Sequence, residues 1–209
     1  MFKQTVLLLA VSVTILTNLY SQEMRRDVFL PEGTVLPARL PVLSIKTNLL
    51  HDLAATMNLG AEARLSDYLT LDLSASYNPW TFSDNRKWKH LLIQPELRYW
   101  IHEPFNGHYL GTHLLYNNYN IGNLDLPLDI FPELKDYRFQ GHAWGAGFSY
   151  GYQWILSRRW NLEATFGFGY VYTDYSKYEC HTCGRKTSEG SKHWFGPTKA
   201  GVSLIYIVK

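Results

Sequence analysis

Apolar and polar positions alternate along most of the chain after residue 42, and the alternation falls into eight stretches. These stretches cover residues 43–50, 56–65, 69–77, 90–101, 108–120, 142–155, 160–174 and 196–207. A period of two is typical of β-strands with two different faces. The segments between the stretches have 5, 3, 12, 6, 21, 4 and 21 residues, so short and longer connections largely alternate. This pattern predicts an all-β fold, an eight-stranded antiparallel up-and-down transmembrane β-barrel.

Each stretch separates into a row of bulky apolar side chains and a row of small or polar ones. In the sixth stretch, Trp144, Phe148 and Tyr150 alternate with glycines and Ser149. Eight strands enclose little more than their own side chains, so we expect the small and polar rows to fill the interior. The bulky rows would then face lipid. The alternative is a soluble lipocalin-like carrier whose aromatic rows line a ligand cavity.

Charged residues recur in the rows that we assign to the interior. The set contains four acids and four bases: Lys46, Glu62, Arg64, Asp72, Glu96, Arg98, Glu163 and Lys199. Balanced charge is what a closed interior requires, because an unpaired buried charge costs several kcal/mol. These residues could form a narrow ion path or a plug of salt bridges. We favour the plug, because eight strands leave little open bore.

The chain divides into three predicted regions. Residues 1–21 form a signal peptide, because Lys3 precedes the apolar run from Val6 to Ile15. Residues 22–42 form an extended, proline-containing periplasmic leader, and residues 43–209 form the barrel. We therefore expect export to the outer membrane, with outer-membrane lipid around the barrel. Aromatic residues make up 15% of the chain, which suits membrane interfaces, and the formal net charge of +2 gives no reason to expect a nucleic-acid partner.

The 21-residue segment 121–141 is rich in apolar side chains for a surface loop. Exposed apolar side chains favour binding to a partner. The partner could be a surface protein, a periplasmic protein or the membrane surface. The alternative is that the loop folds back and caps the mouth of its own barrel. The candidate binding residues are Leu126, Leu128, Ile130, Phe131 and Leu134.

Cys180 and Cys183 are the only cysteines of the chain. Because the export route is oxidising, a disulfide between them is the leading interpretation. A zinc site with His181 or His193 is the alternative, although one C-x-x-C without a second ligand pair is a weak signal. We predict no cofactor. No spacing of serine, histidine and acid in the sequence indicates a catalytic site, so we expect no enzymatic activity.

Several segments resemble an uncharacterised outer-membrane family of Bacteroidota, a domain of unknown function. The resemblance rests on segments 149–156, 159–164, 178–184, 195–199 and 203–206, together with Lys46-Thr47-Asn48. It implies a small outer-membrane barrel. Some members of that family occur near genes for fimbrial assembly, which implies a role in surface-fibre biogenesis by association only. The resemblance implies no catalytic residues.

The leading functional hypothesis is a non-enzymatic outer-membrane barrel with a structural, adhesion or fimbrial assembly role through its extracellular loops. A narrow pore for ions or small solutes is the first alternative. A lipid-modifying barrel enzyme and a soluble lipocalin-like carrier are the others.

Overall fold

A computed structural model of the chain describes residues 41–82, 86–124, 132–179 and 184–208. Every strand pairs antiparallel with the next one along the chain, and β1 pairs with β8, so the sheet closes into a barrel. This confirms the predicted all-β, up-and-down arrangement. The strands are β1 (Leu43–Asn48), β2 (Met57–Arg64), β3 (Leu69–Asn78), β4 (Lys87–Trp100), β5 (Gly107–Gly122), β6 (Tyr137–Ile155), β7 (Trp160–Glu179) and β8 (Lys186–Ile207).

The two 21-residue loops that the pattern predicted are wrong in extent. Strand β5 continues to Gly122 and β6 begins at Tyr137, while β7 and β8 continue through most of segment 175–195. The backbone ladder between β7 and β8 reaches Tyr178 and Lys186. Residues Lys186–Phe195 are exposed on both faces of the sheet, so their sequence does not alternate between apolar and polar. Without alternation, periodicity does not reveal the strand.

The first stretch is also shorter than predicted, because Leu49 and Leu50 belong to a helix, α1 (Leu49–Leu53). The Asn48 side chain caps this helix by accepting a hydrogen bond from the Leu50 N–H at 3.1 Å. A second short helical segment, of the 3-10 type, spans Pro132–Leu134. No helix among the described residues is long and apolar enough to cross a membrane.

The strands differ greatly in length, and this makes the barrel one-sided. Strand β1 has 6 residues, whereas β8 has 22. At about 3.3 Å per residue, β1 is about 20 Å long and β8 about 70 Å. We call the end that holds Leu43 and Ile207 the terminal end, and the opposite end the far end. Strands β4–β8 extend beyond β1–β3 at the far end and form a tall sheet.

The two faces of the barrel wall have opposite character. The row that points outward is apolar, and Phe148, Phe195 and Leu59 are 77%, 70% and 65% exposed. The row that points inward is polar, and it includes Glu62 and Arg98 at 0% exposure. Apolar side chains therefore cover the outside of the barrel and hydrophilic ones fill it, which is the reverse of a soluble protein.

Candidate functional site

The interior centres on Arg98, a fully buried arginine in β4. Its Nη1 donates to Glu62 Oε2 at 2.8 Å and to Glu163 Oε2 at 2.7 Å. Its Nε donates to Glu96 Oε2 at 2.8 Å, and Nη2 lies 3.3 Å from Asp72 Oδ2. A planar guanidinium with five donors can serve several carboxylates at once, which an ammonium group cannot do with fixed geometry. One arginine thus connects carboxylates from four strands.

Two lysines complete the connections around Arg98. Lys46 Nζ lies 3.0 Å from Glu62 Oε2 and 2.9 Å from Asp72 Oδ1. Lys199 Nζ lies 2.6 Å from Glu96 Oε2 and 3.6 Å from Asp72 Oδ2. We call these seven residues the interior network: Lys46, Glu62, Asp72, Glu96, Arg98, Glu163 and Lys199.

Arg64, the eighth residue of the sequence-based set, stays outside the interior network. It is half-buried at the terminal end of β2 and makes no ion pair within the described part of the chain. The connected group therefore holds four acids and three bases. Taking these charges out of water costs several kcal/mol per ion, which only dense mutual pairing offsets. The pairing depends on strand register, because the network draws residues from β1, β2, β3, β4, β7 and β8.

An apolar and aromatic cluster closes the lumen on the terminal side of the interior network. Phe105 lies in the turn between β4 and β5 and is 1% exposed, although its φ of 67° is unusual for a residue other than glycine. The Asn161 side chain holds this turn by donating to the Phe105 carbonyl at 3.0 Å. We call this cluster the terminal seal; its members, all buried, are Trp100, Phe105, Tyr109, Ile205 and Ile207.

A polar cavity of about 90 Å³ lies on the far side of the interior network. Its floor includes Lys46, Asp72 and Lys199, and its walls carry amide and hydroxyl side chains. His51 of α1 also lines it, with Nδ1 2.8 Å from Ser76 Oγ. Burial lowers the pKa of His51, an effect that the neighbouring Asp52 carboxylate partly opposes. The lumen is thus polar on the far side of the interior network and apolar on the terminal side.

Of the five predicted loop residues, only Leu134 lies among the described residues; Leu126, Leu128, Ile130 and Phe131 lie outside them. The Leu134 carbonyl accepts a hydrogen bond from the Leu124 N–H at 2.9 Å, which joins the two ends of the loop. Next to it, Lys177 Nζ lies 2.8 Å from Glu133 Oε2. This hydrogen bond and the lysine's charge lower the pKa of Glu133. The loop therefore begins from a defined base on the tall sheet.

Cys180, His181 and Cys183 lie outside the described residues, so the choice between a disulfide and a zinc site stays open. His193 lies on the outward face of β8, where its ring is paired with those of Tyr170 and Tyr172. Within the described ranges, no group of three or more histidine, cysteine, aspartate or glutamate residues is placed to hold a metal ion.

Sequence reasoning missed several inward side chains that complete the interior. Ser149 donates to Glu96, and the Tyr109 ring lies 4.4 Å from the Arg98 guanidinium. Opposite these groups, Gly111 and Gly151 leave room that a Cβ atom would fill. Alternation placed Ser149 and Gly151 on the inward face, but it carries no information on which strands bring these residues together.

Comparison with known proteins identifies the family of the chain. No curated protein matches the chain. A family model described as "Protein of unknown function (DUF3575)" matches residues 9–208. The match spans the whole barrel, including every member of the interior network and the terminal seal. The chain therefore belongs to this family of proteins of unknown function.

Proposed function

We propose that this protein is a non-enzymatic outer-membrane barrel, sealed to solutes, that holds its tall sheet and loops outside the cell for a structural, adhesion or fimbrial assembly role. The observation that carries the proposal is the inverted distribution of side chains, with phenylalanine and leucine outside and a charged interior. The terminal end then faces the periplasm and the far end faces the exterior.

The dimensions of the outward apolar surface suit a membrane. On β6, Trp144 and Trp154 point outward and lie ten residue steps apart. Ten steps at about 3.3 Å correspond to about 33 Å along the strand, or about 25 Å in height for a strand tilted by about 40°. This matches the apolar band of outer-membrane barrels, which has aromatic residues at both borders. Tyr116 packs beside Trp144 and Tyr152 beside Trp154, so both borders carry paired aromatic rings.

The sealed lumen favours a structural role over the pore that we considered from sequence. A solute would have to pass the fully buried Arg98 with its four carboxylates, and then Trp100 and Phe105 of the terminal seal. The two rings are 6.2 Å apart between centroids and share the lumen with isoleucines. Opening this path would break several buried charge contacts, at a cost of several kcal/mol.

The tall sheet supports a role outside the membrane. Strands β6–β8 have 19, 20 and 22 residues, far more than a membrane crossing of about 9–11 residues requires. Their far ends therefore project from the membrane as a rigid, hydrogen-bonded platform. A platform of this kind suits contact with another macromolecule, since loops on rigid scaffolds are the usual carriers of binding.

Two measurements on producing cells test the proposal. A folded barrel should migrate differently before and after boiling on a detergent gel of the outer-membrane fraction. Protease added to intact cells should cut within residues 123–136 and 180–185, two of the four connections at the far end, and at none of the connections at the terminal end. Replacing residues 124–134 by a glycine-serine linker should then abolish binding of a cell-surface partner without changing the folded band. A protein recovered in the soluble periplasm, without a heat-dependent shift, would contradict the proposal and favour a lipocalin-like carrier.

The competing activities have their own readouts. The wild-type barrel should be electrically silent in planar bilayers, and steady conductance would favour the pore. Lipid A from producing and deleted cells should have the same mass, and a difference would indicate a lipid-modifying enzyme.

A further inference from the structure

The outward face of the tall sheet carries a polar groove of about 540 Å³ that crosses β6, β7 and β8. Two rows of side chains form its walls: Gln140, Ser176 and Glu189 on one side, and His142, Asp174 and Ser191 on the other. The backbone of Gly141, Tyr175 and Gly190 lies between the rows. The groove is separate from the interior network, from which the barrel wall divides it.

The chemistry of the groove is that of a site for sugar hydroxyl groups. Its lining holds an amide, an imidazole, two carboxylates and two serine hydroxyls, which can donate and accept hydrogen bonds. The imidazole and the carboxylates also have partners within the protein: His142 contacts Tyr116, Asp174 accepts from Tyr172, and Glu189 pairs with Lys186. Within the described part of the chain, the exposed Gln140 side chain and the Ser176 hydroxyl have no hydrogen-bond partner. Tyr178 adds an aromatic ring to the lining, and Arg138 holds that ring with its guanidinium 4.5 Å from the centroid.

The height of the groove relative to the membrane indicates whether its sugar would come from a membrane glycolipid or from a free polysaccharide. The row directly below it contains Trp144, Tyr172 and His193, which belong to the outer aromatic border. The groove rows lie two and four residues further along β6, which is about 5–10 Å higher for a strand tilted by about 40°. The head-group layer of a bilayer is about 5–8 Å thick on each side. Because the strands tilt, the same rows rise by about 3 Å from each strand to the next towards β8. The groove therefore opens sideways, beginning at the level of the head groups on β6 and reaching above that layer on β8.

An apolar surface adjoins the groove on its terminal side. Phe148 and Phe195, the two most exposed phenylalanines among the described residues, point outward from β6 and β8. A lipid whose acyl chains lie against these rings would place its head group in the groove. From these observations we infer that the groove binds the sugar units of a glycolipid of the outer leaflet. This inference rests on the proposed membrane insertion.

The test compares one substitution on the two faces of the same sheet. Ser176→Trp fills the groove from its central strand. Ser188→Trp is the matched control, because Ser188 pairs with Lys177 and is exposed on the opposite face. Each protein is placed in phosphatidylcholine nanodiscs, and binding of purified lipopolysaccharide is measured by native mass spectrometry. Heat-dependent migration shows that each variant is folded and inserted.

We expect the wild type and Ser188→Trp to bind lipopolysaccharide alike and Ser176→Trp to bind at least tenfold more weakly. Gln140→Ala should weaken binding in the same direction without adding bulk. Equal binding by all inserted proteins would overturn the glycolipid site while leaving the proposed function intact. Tighter binding of the free, lipid-free polysaccharide than of lipopolysaccharide would overturn the assignment to a membrane lipid. Failure of the wild type to insert would overturn both proposals.

Discussion

Replacing Arg98 by methionine should destabilise the barrel more than any substitution at its rim. Arg98→Met keeps a long apolar side chain but removes the charge that contacts Glu62, Asp72, Glu96 and Glu163. Lys46 and Lys199 would then face four buried carboxylates alone. Removing one partner of a buried charge group typically costs about 3–5 kcal/mol, because the remaining charges lose their compensation.

The matched control for this substitution is Arg64→Met. Arg64 lies on the same inward face but is half-buried and makes no ion pair within the described residues. We expect its loss to cost less than about 1 kcal/mol. Glu163→Gln supplies a second test, because it removes the carboxylate that contacts Arg98 through both oxygens. In the double variant, the losses should fall short of their sum by about 1–3 kcal/mol.

The assay is reversible urea unfolding of the barrel in lipid vesicles, followed by the fluorescence of its seven tryptophans. The free energy of unfolding in water comes from linear extrapolation, and an unchanged slope shows that the variants unfold from comparable states. Equal losses for Arg98→Met and Arg64→Met would show that the interior network does not stabilise the barrel. Strict additivity of Arg98→Met and Glu163→Gln would also contradict the prediction, because independent sites do not form a network.

Three further predictions concern residues that line the lumen of the barrel. Gly151→Ala should have its unfolding midpoint at a clearly lower urea concentration than Gly190→Ala. A methyl group at Gly151 would overlap the Tyr109 ring, whereas at Gly190 the nearest atom is 3.3 Å away. Equal midpoints would contradict this prediction. Phe105→Ala should cost about 3–5 kcal/mol and raise ion leakage across vesicles, since it removes a buried ring of the terminal seal; unchanged stability and leakage would argue against the seal. Burial lowers the pKa of His51 below its value in the unfolded chain, so the folded barrel should lose stability as the pH falls from 7 through the range between the two pKa values. In urea unfolding, His51→Gln should make the free energy of unfolding less dependent on pH. An unchanged pH dependence in this variant would contradict the prediction.

The sequence predicted the strands wherever the two faces differ in polarity. The row of Leu69, Leu71 and Leu73 opposite Asp72 gave β3 almost to its ends, because one face is apolar and the other charged. The same alternation did not predict the outer parts of β7 and β8. There, both faces meet water, and residues such as Thr187 and Ser188 are exposed whichever way they point.

The site was predictable only as far as the direction of side chains. Alternation placed Arg98 and Glu163 in the interior, but their contact joins strands that are 65 residues apart in sequence, and only the closure of the barrel brings them together. Arg64 lies on the same face, yet it is too near the terminal end to join the interior network. The sequence pattern did not predict that Phe105 is buried in the lumen. Phe105 lies in a turn, where side-chain direction depends on the backbone conformation, here a φ of 67°, and not on strand alternation.

If the bulky row faces lipid while the tall sheet stands in water, spin labels on the two surfaces should differ in their accessibility to oxygen and to a water-soluble relaxing agent. In a background with Cys180→Ser and Cys183→Ser, single labels are attached through Phe148→Cys and through Ser188→Cys, two exposed positions. In vesicles, the label at position 148 should be relaxed by oxygen and shielded from a water-soluble nickel chelate, and the label at 188 should show the reverse. Equal access of the nickel chelate to both labels would place the apolar row in water and exclude a membrane-embedded barrel.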